Sequence, residues 1–160
     1  MTWAEYDTAE KVWTISGKRM KAGADHRVPL SPAAVALLND MERFEGTDLV
    51  FPAPRGGQLS DMALSATMRR INEAREGGYL DARSQRPAVP HGLRSTFRDW
   101  AAERGYPRDM AEIALAHTVG SEVERAYRRT DMLERRRAMM DAWAGFLSGE
   151  ACGKVVRIGA

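Results

Sequence analysis

Cysteine is almost absent. Cys152 stands alone among 160 residues, so no disulfide can close within the chain, and a reducing cytoplasm is the expected setting. Histidine is nearly as scarce: His26, His91 and His117. No two of them stand four residues apart and none has a cysteine at ligand spacing, so no metal site is expected. No apolar run approaches the roughly 20 residues of a membrane-spanning helix, and Met1–Ile15 has none of the layout of a signal peptide. No membrane partner is therefore expected. An excess of one charge is missing too. The 24 basic and 22 acidic residues leave a formal net charge of +2, which by itself names no partner. The last scarcity is lysine. Only Lys11, Lys18, Lys21 and Lys154 carry an ammonium, and every other basic side chain is arginine. Arginine presents a planar fork that grips phosphate bidentately. A coding bias toward Arg and Ala is the plainer source of the same excess.

What is present reads as one compact domain, residues 1–149, with a tail over 150–160. The first thirty residues are β-rich. "KVWTI" and "HRVPL" are strand candidates around the basic, glycine-containing "SGKRMKAGAD", a hairpin with a long loop, and "TWAEYD" is a possible third strand. From Ser31 the pattern turns helical. "SPAAVALLND" opens with a serine N-cap and a proline at the first helical position. "DLVFPAPRGG" is a short apolar run entering a turn-rich loop. "LSDMALSATMRRINEA" sets Leu64, Met68 and Ile71 on one face, and residues 76–88 read as loop. A helix over 91–104 follows, with Leu93, Phe97, Trp100 and Ala101 as its apolar stripe and Gly105 ending it. The next helix, from Pro107 to about Ala116, carries Met110, Ile113 and Ala114 on one side. "SEVERAYRR" begins with a Ser121–Glu124 capping box. The longest helix lies in 131–149, with Leu133, Met140, Trp143 and Leu147 on its buried face. The expected fold is α+β, mainly helical, with a small antiparallel sheet at the N-terminal edge packed on a helical bundle.

Several polar residues do not belong to that packing. His91 and Arg94 stand three apart at the entrance of a helix and so project from one side of its first turn. His117 follows the next helix in "ALAHTVG". Tyr127 lies in the middle of a capped helix among Arg125, Arg128 and Arg129. Singly, each has a plain structural reading: His91 as a helix-start residue, His117 as a cation at a helix C-terminus, Tyr127 as core. His26 precedes a strand and has no partner that the sequence identifies.

Jointly, the pattern of His-x-x-Arg, a second histidine, a tyrosine ten residues later and a basic hairpin upstream resembles the tyrosine recombinases, and among them the phage-type integrases of prophages and genomic islands. The resemblance runs from "TWAEYD" to about Leu147. It rests on "KRMKAGADHRVPLS", "HGLRSTFRDWAAERG", "ALAHTVGSEVERAYRR" and "LERRRAMMDAWAGF".

The resemblance implies DNA strand cleavage and rejoining through a covalent 3′-phosphotyrosine, with no cofactor. Tyr127 is the implied nucleophile. Arg94 and His117 are implied donors to the phosphate, and His91 a proton-transfer residue. Lys21 is the implied general acid, with Lys18 a second choice. Arg19, Arg69, Arg125 and Arg128 are expected on the DNA face. The implied partners are double-stranded attachment-site DNA and other protomers in a synaptic tetramer, in the bacterial cytoplasm at the nucleoid. The family places its first arginine in a Thr-Gly-x-Arg-x-Gly-Glu-like helix ahead of the strand corresponding to "TWAEYD". No residue here matches it, nor the family's N-terminal DNA-embracing domain. The expectation is therefore a catalytic domain shortened at its N-terminus. A DNA-binding fragment without turnover and a type IB topoisomerase-like relaxing activity are the alternatives.

The chemistry wants these residue types. A free tyrosine ionises at about pH 10, so a cluster of positive charge is needed to make it a nucleophile near neutrality. The pentacoordinate phosphorus places negative charge on its non-bridging oxygens, where fixed donors are most effective. The leaving 5′ oxygen needs a proton, and an imidazole exchanges protons near neutral pH.

Overall fold

A computed structural model of the chain describes residues 1–82, 84–120 and 130–150. Three strands, β1 (Tyr6–Asp7), β2 (Val12–Ile15) and β3 (His26–Pro29), form an antiparallel sheet in the order β1-β2-β3. Val12 faces Pro29 and Ile15 faces His26 across the hairpin. Most of "TWAEYD" is not strand. Trp3–Glu5 form a 3-10 turn, closed by the Thr2 N–H donating to the Glu5 carboxylate at 3.0 Å. That local bond takes the backbone out of the extended state and leaves only two residues to pair.

Five helices follow among the described residues. In α1 (Pro32–Asp40) the Ser31 hydroxyl accepts the Ala34 N–H at 3.3 Å and Pro32 occupies the first turn, as the sequence predicts. Val12 and Pro29 of the sheet, Leu38 of α1 and Val50 are buried at this end of the molecule. The segment carrying Val50 is tied to the N-terminus through a Thr2–Leu49 bridge. The other helices are α2 (Met62–Glu73), α3 (Gly92–Glu103), α4 (Arg108–Ala114) and α5 (Leu133–Leu147). None of the described helices is long and apolar enough to cross a membrane.

The main core lies where α3, α4 and α5 meet. Phe97, Trp100 and Ala101 of α3 pack with Met110 and Ala111 of α4 and Met139 of α5. Trp143 joins them edge-on, 5.3 Å from Phe97 and 5.1 Å from Trp100 between ring centroids. Such aromatic pairs add about 0.5–1.5 kcal/mol each beyond the area they bury. Gly105, at φ 73°, ends α3. There the Tyr106 N–H reaches the Ala101 carbonyl and the Gly105 N–H that of Ala102, the paired bonds of a Schellman stop.

Three sequence expectations about burial fail. Leu93, assigned to the α3 stripe, is 59 % exposed, because the stripe turns toward α4 and α5 only from Phe97 onward. Leu147 of α5 is 65 % exposed, and the fully buried side chains of that helix are Arg136 and Met139. Counting apolar residues alone misplaced that face, since an arginine occupies its centre. On α2, Leu64 and Ile71 are exposed and Met68 only half-buried, so the expected stripe faces outward rather than into the core. Exposed apolar side chains contribute little to folding. Met139→Ala is accordingly expected to cost about 2–5 kcal/mol, and Leu64→Ser to stay within about 0.5 kcal/mol of the parent. Urea unfolding of the two variants measures the contrast, and similar costs would show that α2 packs as closely as α5.

The hairpin loop is a closed structure. The Gly17 N–H donates to the Asp25 carboxylate at 2.8 Å. A Cβ on Gly17 would lie 2.5 Å from the Gly23 carbonyl oxygen, so only glycine allows the two ends of the loop to touch. Beside it, His26 is half-buried and hydrogen-bonded to the backbone of Ala114, the partner that the sequence did not reveal. Burial first, and the nearby charge of Arg136 second, hold its imidazole below its ordinary range.

Arg136 joins the sheet to α5. Its side chain is 1 % exposed. It donates to the Asp131 carbonyl at 2.8 Å, the Arg27 carbonyl at 2.8 Å and the Asp131 carboxylate at 3.2 Å. Arg27 grips the same carboxylate with two bonds, of 2.9 and 2.8 Å.

Candidate functional site

The first turn of α3 carries His91 and Arg94. His91 is the N-cap residue, is exposed, and makes no side-chain capping bond. Arg94 is one turn further on and half-buried, anchored by the apolar residues behind it. Its guanidinium donates to the Leu115 carbonyl and contacts His117 Nε2 at 2.8 Å.

His117 is brought to Arg94 by the way α4 ends. Ala116 adopts φ 57°, a left-handed conformation that costs a residue with a Cβ roughly 1–2 kcal/mol. The His117 N–H then bonds back to the Glu112 carbonyl at 2.9 Å. The turn reverses the chain and points the imidazole at α3. The ring is held from its other side by Glu112, whose carboxylate lies 2.6 Å from Nδ1. Glu112 also pairs with Arg98 at 2.7 Å. The hydrogen bond from His117 is the main reason its carboxyl sits below the usual carboxylate range. Burial opposes that shift and the charge of Arg98 reinforces it.

The hairpin loop reaches the same place. Lys21 and Ala22 line one pocket together with Ala116, His117 and Thr118. Lys18 is not part of that lining. Its residue lies in a 3-10 turn, Gly17–Arg19, earlier in the loop. Lys21, Arg94 and His117 thus share one neighbourhood. His91 stands at the same end of α3 as Arg94, and no hydrogen bond among the described residues links its ring to Arg94 or His117. Arg19 is engaged by the Glu5 carboxylate while remaining about half exposed. Arg69 is exposed on α2. Tyr127, Arg125, Arg128 and the Ser121–Glu124 capping box lie outside the described residues. Among the described residues, no cluster of histidine, cysteine and carboxylate side chains is arranged to hold a metal ion.

Sequence reasoning missed Glu112. It stands five residues before His117, a spacing that does not place two side chains together on a regular helix. Only the left-handed turn at Ala116 closes the gap, and alanine gives no warning of such a turn.

The arrangement sets His117 and Lys21 around one open pocket, with the Arg94 guanidinium on one nitrogen of the imidazole and a carboxylate on the other. It is suited to an anion with several acceptor oxygens. Known proteins agree on the family. The model of the phage integrase family matches residues 1–134. The chain is 38% identical over 157 residues to the prophage integrase IntA of Escherichia coli (strain K12), covering 96% of this chain and 35% of that protein. It is 35% identical over 154 residues to the prophage integrase IntZ of the same strain, covering 94% of this chain and 35% of the relative. It is 30% identical over 162 residues to the integrase of Enterobacteria phage P4, covering 91% and 35%. The chain therefore spans about a third of the length of these curated relatives. No solved structure matches it significantly. With the family model covering most of its length and these relatives aligned along nearly all of it, the chain belongs to the phage integrase family.

Proposed function

We propose that this chain is the strand-cleaving part of a site-specific DNA recombinase, residues 1–149 forming the catalytic unit and 150–160 a tail. Tyr127 Oη attacks a backbone phosphorus. The P–O5′ bond breaks as the 3′-phosphotyrosine bond forms, and Lys21 supplies the proton that the leaving 5′ oxygen takes. Arg94 and His117 donate to the non-bridging oxygens, and His91 serves proton transfer at the tyrosine. A 5′ hydroxyl from another strand reverses the step, so the exchange needs no external energy source. The observation that carries the reading is the Arg94–His117 contact beside Lys21, brought together from α3, the turn after α4 and the hairpin loop.

The reading requires DNA binding. Affinity for a labelled duplex is expected to be weak and largely independent of sequence. It should fall steeply with salt, log K dropping by about 0.9 per log unit of salt for each phosphate contacted. Arg94→Met should reduce both affinity and slope. Fluorescence anisotropy at 50 and 200 mM salt, about the range over which such contacts are lost, measures this. Binding that ignores salt, or none at low salt, overturns the reading.

A further inference from the structure

We infer that His117 takes up a proton when a phosphate enters this site, and that Glu112 is the positioning residue that keeps the first proton on Nδ1 when it does. The inference deepens the reading of the site as a phosphate site and rests on it.

The argument is one of donors and acceptors. A guanidinium can only donate. His117 Nε2, 2.8 Å from Arg94, must therefore be the accepting nitrogen of the ring. An ionised carboxylate can only accept. His117 Nδ1, 2.6 Å from Glu112, must therefore carry the ring's proton. In the DNA-free chain the imidazole is thus neutral, with its tautomer set from both sides. A doubly protonated ring would turn an N–H against Arg94.

A phosphate oxygen reverses the requirement at Nε2. The anion can only accept, so it replaces Nε2 as the acceptor for Arg94 and asks Nε2 to donate. Nδ1 cannot release its proton to permit a tautomer exchange, because Glu112 would then face a second acceptor. The ring can meet both neighbours only by gaining a proton on Nε2 from solvent. The imidazolium is then bracketed by Glu112 and the phosphate, an arrangement that favours its charge.

Among the described residues, the charged groups facing the ring come from three elements. Arg94 comes from α3, Glu112 from α4 and Lys21 from the hairpin loop. Arg98 and Arg108 act through Glu112, at 2.7 and 3.9 Å from it.

With only three histidines in the chain, ¹⁵N-histidine labelling isolates the event. Two-bond ¹H–¹⁵N spectra at pH 7.5 report the protonation state of each ring. His117 is expected as the Nδ1–H neutral form in the free chain and as the doubly protonated form with saturating duplex DNA at low salt. Glu112→Leu should keep the Nδ1–H form in the free chain, where Arg94 still requires an acceptor at Nε2, and on adding DNA should switch to the neutral Nε2–H tautomer instead of gaining a proton. Arg98→Met, which removes the nearer of the two arginines on Glu112, should leave both signatures intact and so separates positioning from a merely structural role. Glu112→Gln, which keeps an acceptor without the charge, should retain the Nδ1–H tautomer but lose the protonation. An Nε2–H ring in the parent chain overturns the inference, as does a ring that stays neutral on saturated DNA. A chain that binds no duplex at low salt overturns the phosphate-site reading as well.

Discussion

Arg136→Met is expected to destabilise the chain by about 3–5 kcal/mol, because three hydrogen bonds from a charged donor are lost, each worth about 1.5–3 kcal/mol before the structure relaxes. Methionine fills most of the volume, so the loss is one of bonding. The carbonyls of Arg27 and Asp131 lose their donors, and the Asp131 carboxylate keeps only Arg27. Arg136→Lys should recover little, because one ammonium cannot reach three acceptors laid out for a fork. Urea unfolding measures the loss, with an unchanged denaturant slope showing that the same folded unit is being compared. A cost under about 1 kcal/mol, the range of an exposed pair, would mean that water replaces the guanidinium. The pair also has a defined pH range. Burial works to raise the carboxyl of Asp131, but the hydrogen bonds from Arg27 and the charges of Arg136 and Arg27 hold it below its ordinary value. Its contribution is complete above about pH 4, the unfolded carboxyl range, and disappears as the pH falls through the lower folded value.

Tyr127→Phe is expected to abolish covalent attachment to DNA altogether. The measurement uses a full-length relative carrying this chain in place of its matching segment, so that every family element is present. The substrate is a nicked duplex whose released fragment cannot rejoin. The parent accumulates the phosphotyrosine adduct, seen as a shifted band after denaturation. Phenylalanine lacks the attacking oxygen and keeps nearly the same volume, so DNA binding and stability should survive. Arg94→Lys should slow the adduct by about 10²–10³, the worth of one oriented donor at the phosphate. An adduct on the Tyr127→Phe protein moves the nucleophile elsewhere. Tyr79, exposed beneath the Arg75 guanidinium, and Tyr106, stacked on Trp100, are the tyrosines to examine next.

Much of the architecture was legible because its signals are local. The serine and proline opening α1, the glycine ending α3 and the alternation of β2 and β3 each act within a few residues. The pairing of Arg94 with His117 was legible only jointly, through the motif pattern, since no local rule brings residues 23 apart together. What escaped depended on tertiary context. Arg136 sits in a core-facing position that hydrophobic counting skips, because its stem packs while its fork finds carbonyls on another element. Glu112 was hidden by a left-handed alanine. The outward face of α2 has the same periodicity as a buried one, and periodicity says which side is apolar without saying what covers it.

The contact of Gly17 with Gly23 has a kinematic consequence. A loop whose ends touch, and which is pinned by the Gly17 N–H on Asp25, has few internal degrees of freedom left. The Lys21 backbone is therefore carried inside a closed ring, and its place beside His117 is set by how that ring joins β2 and β3.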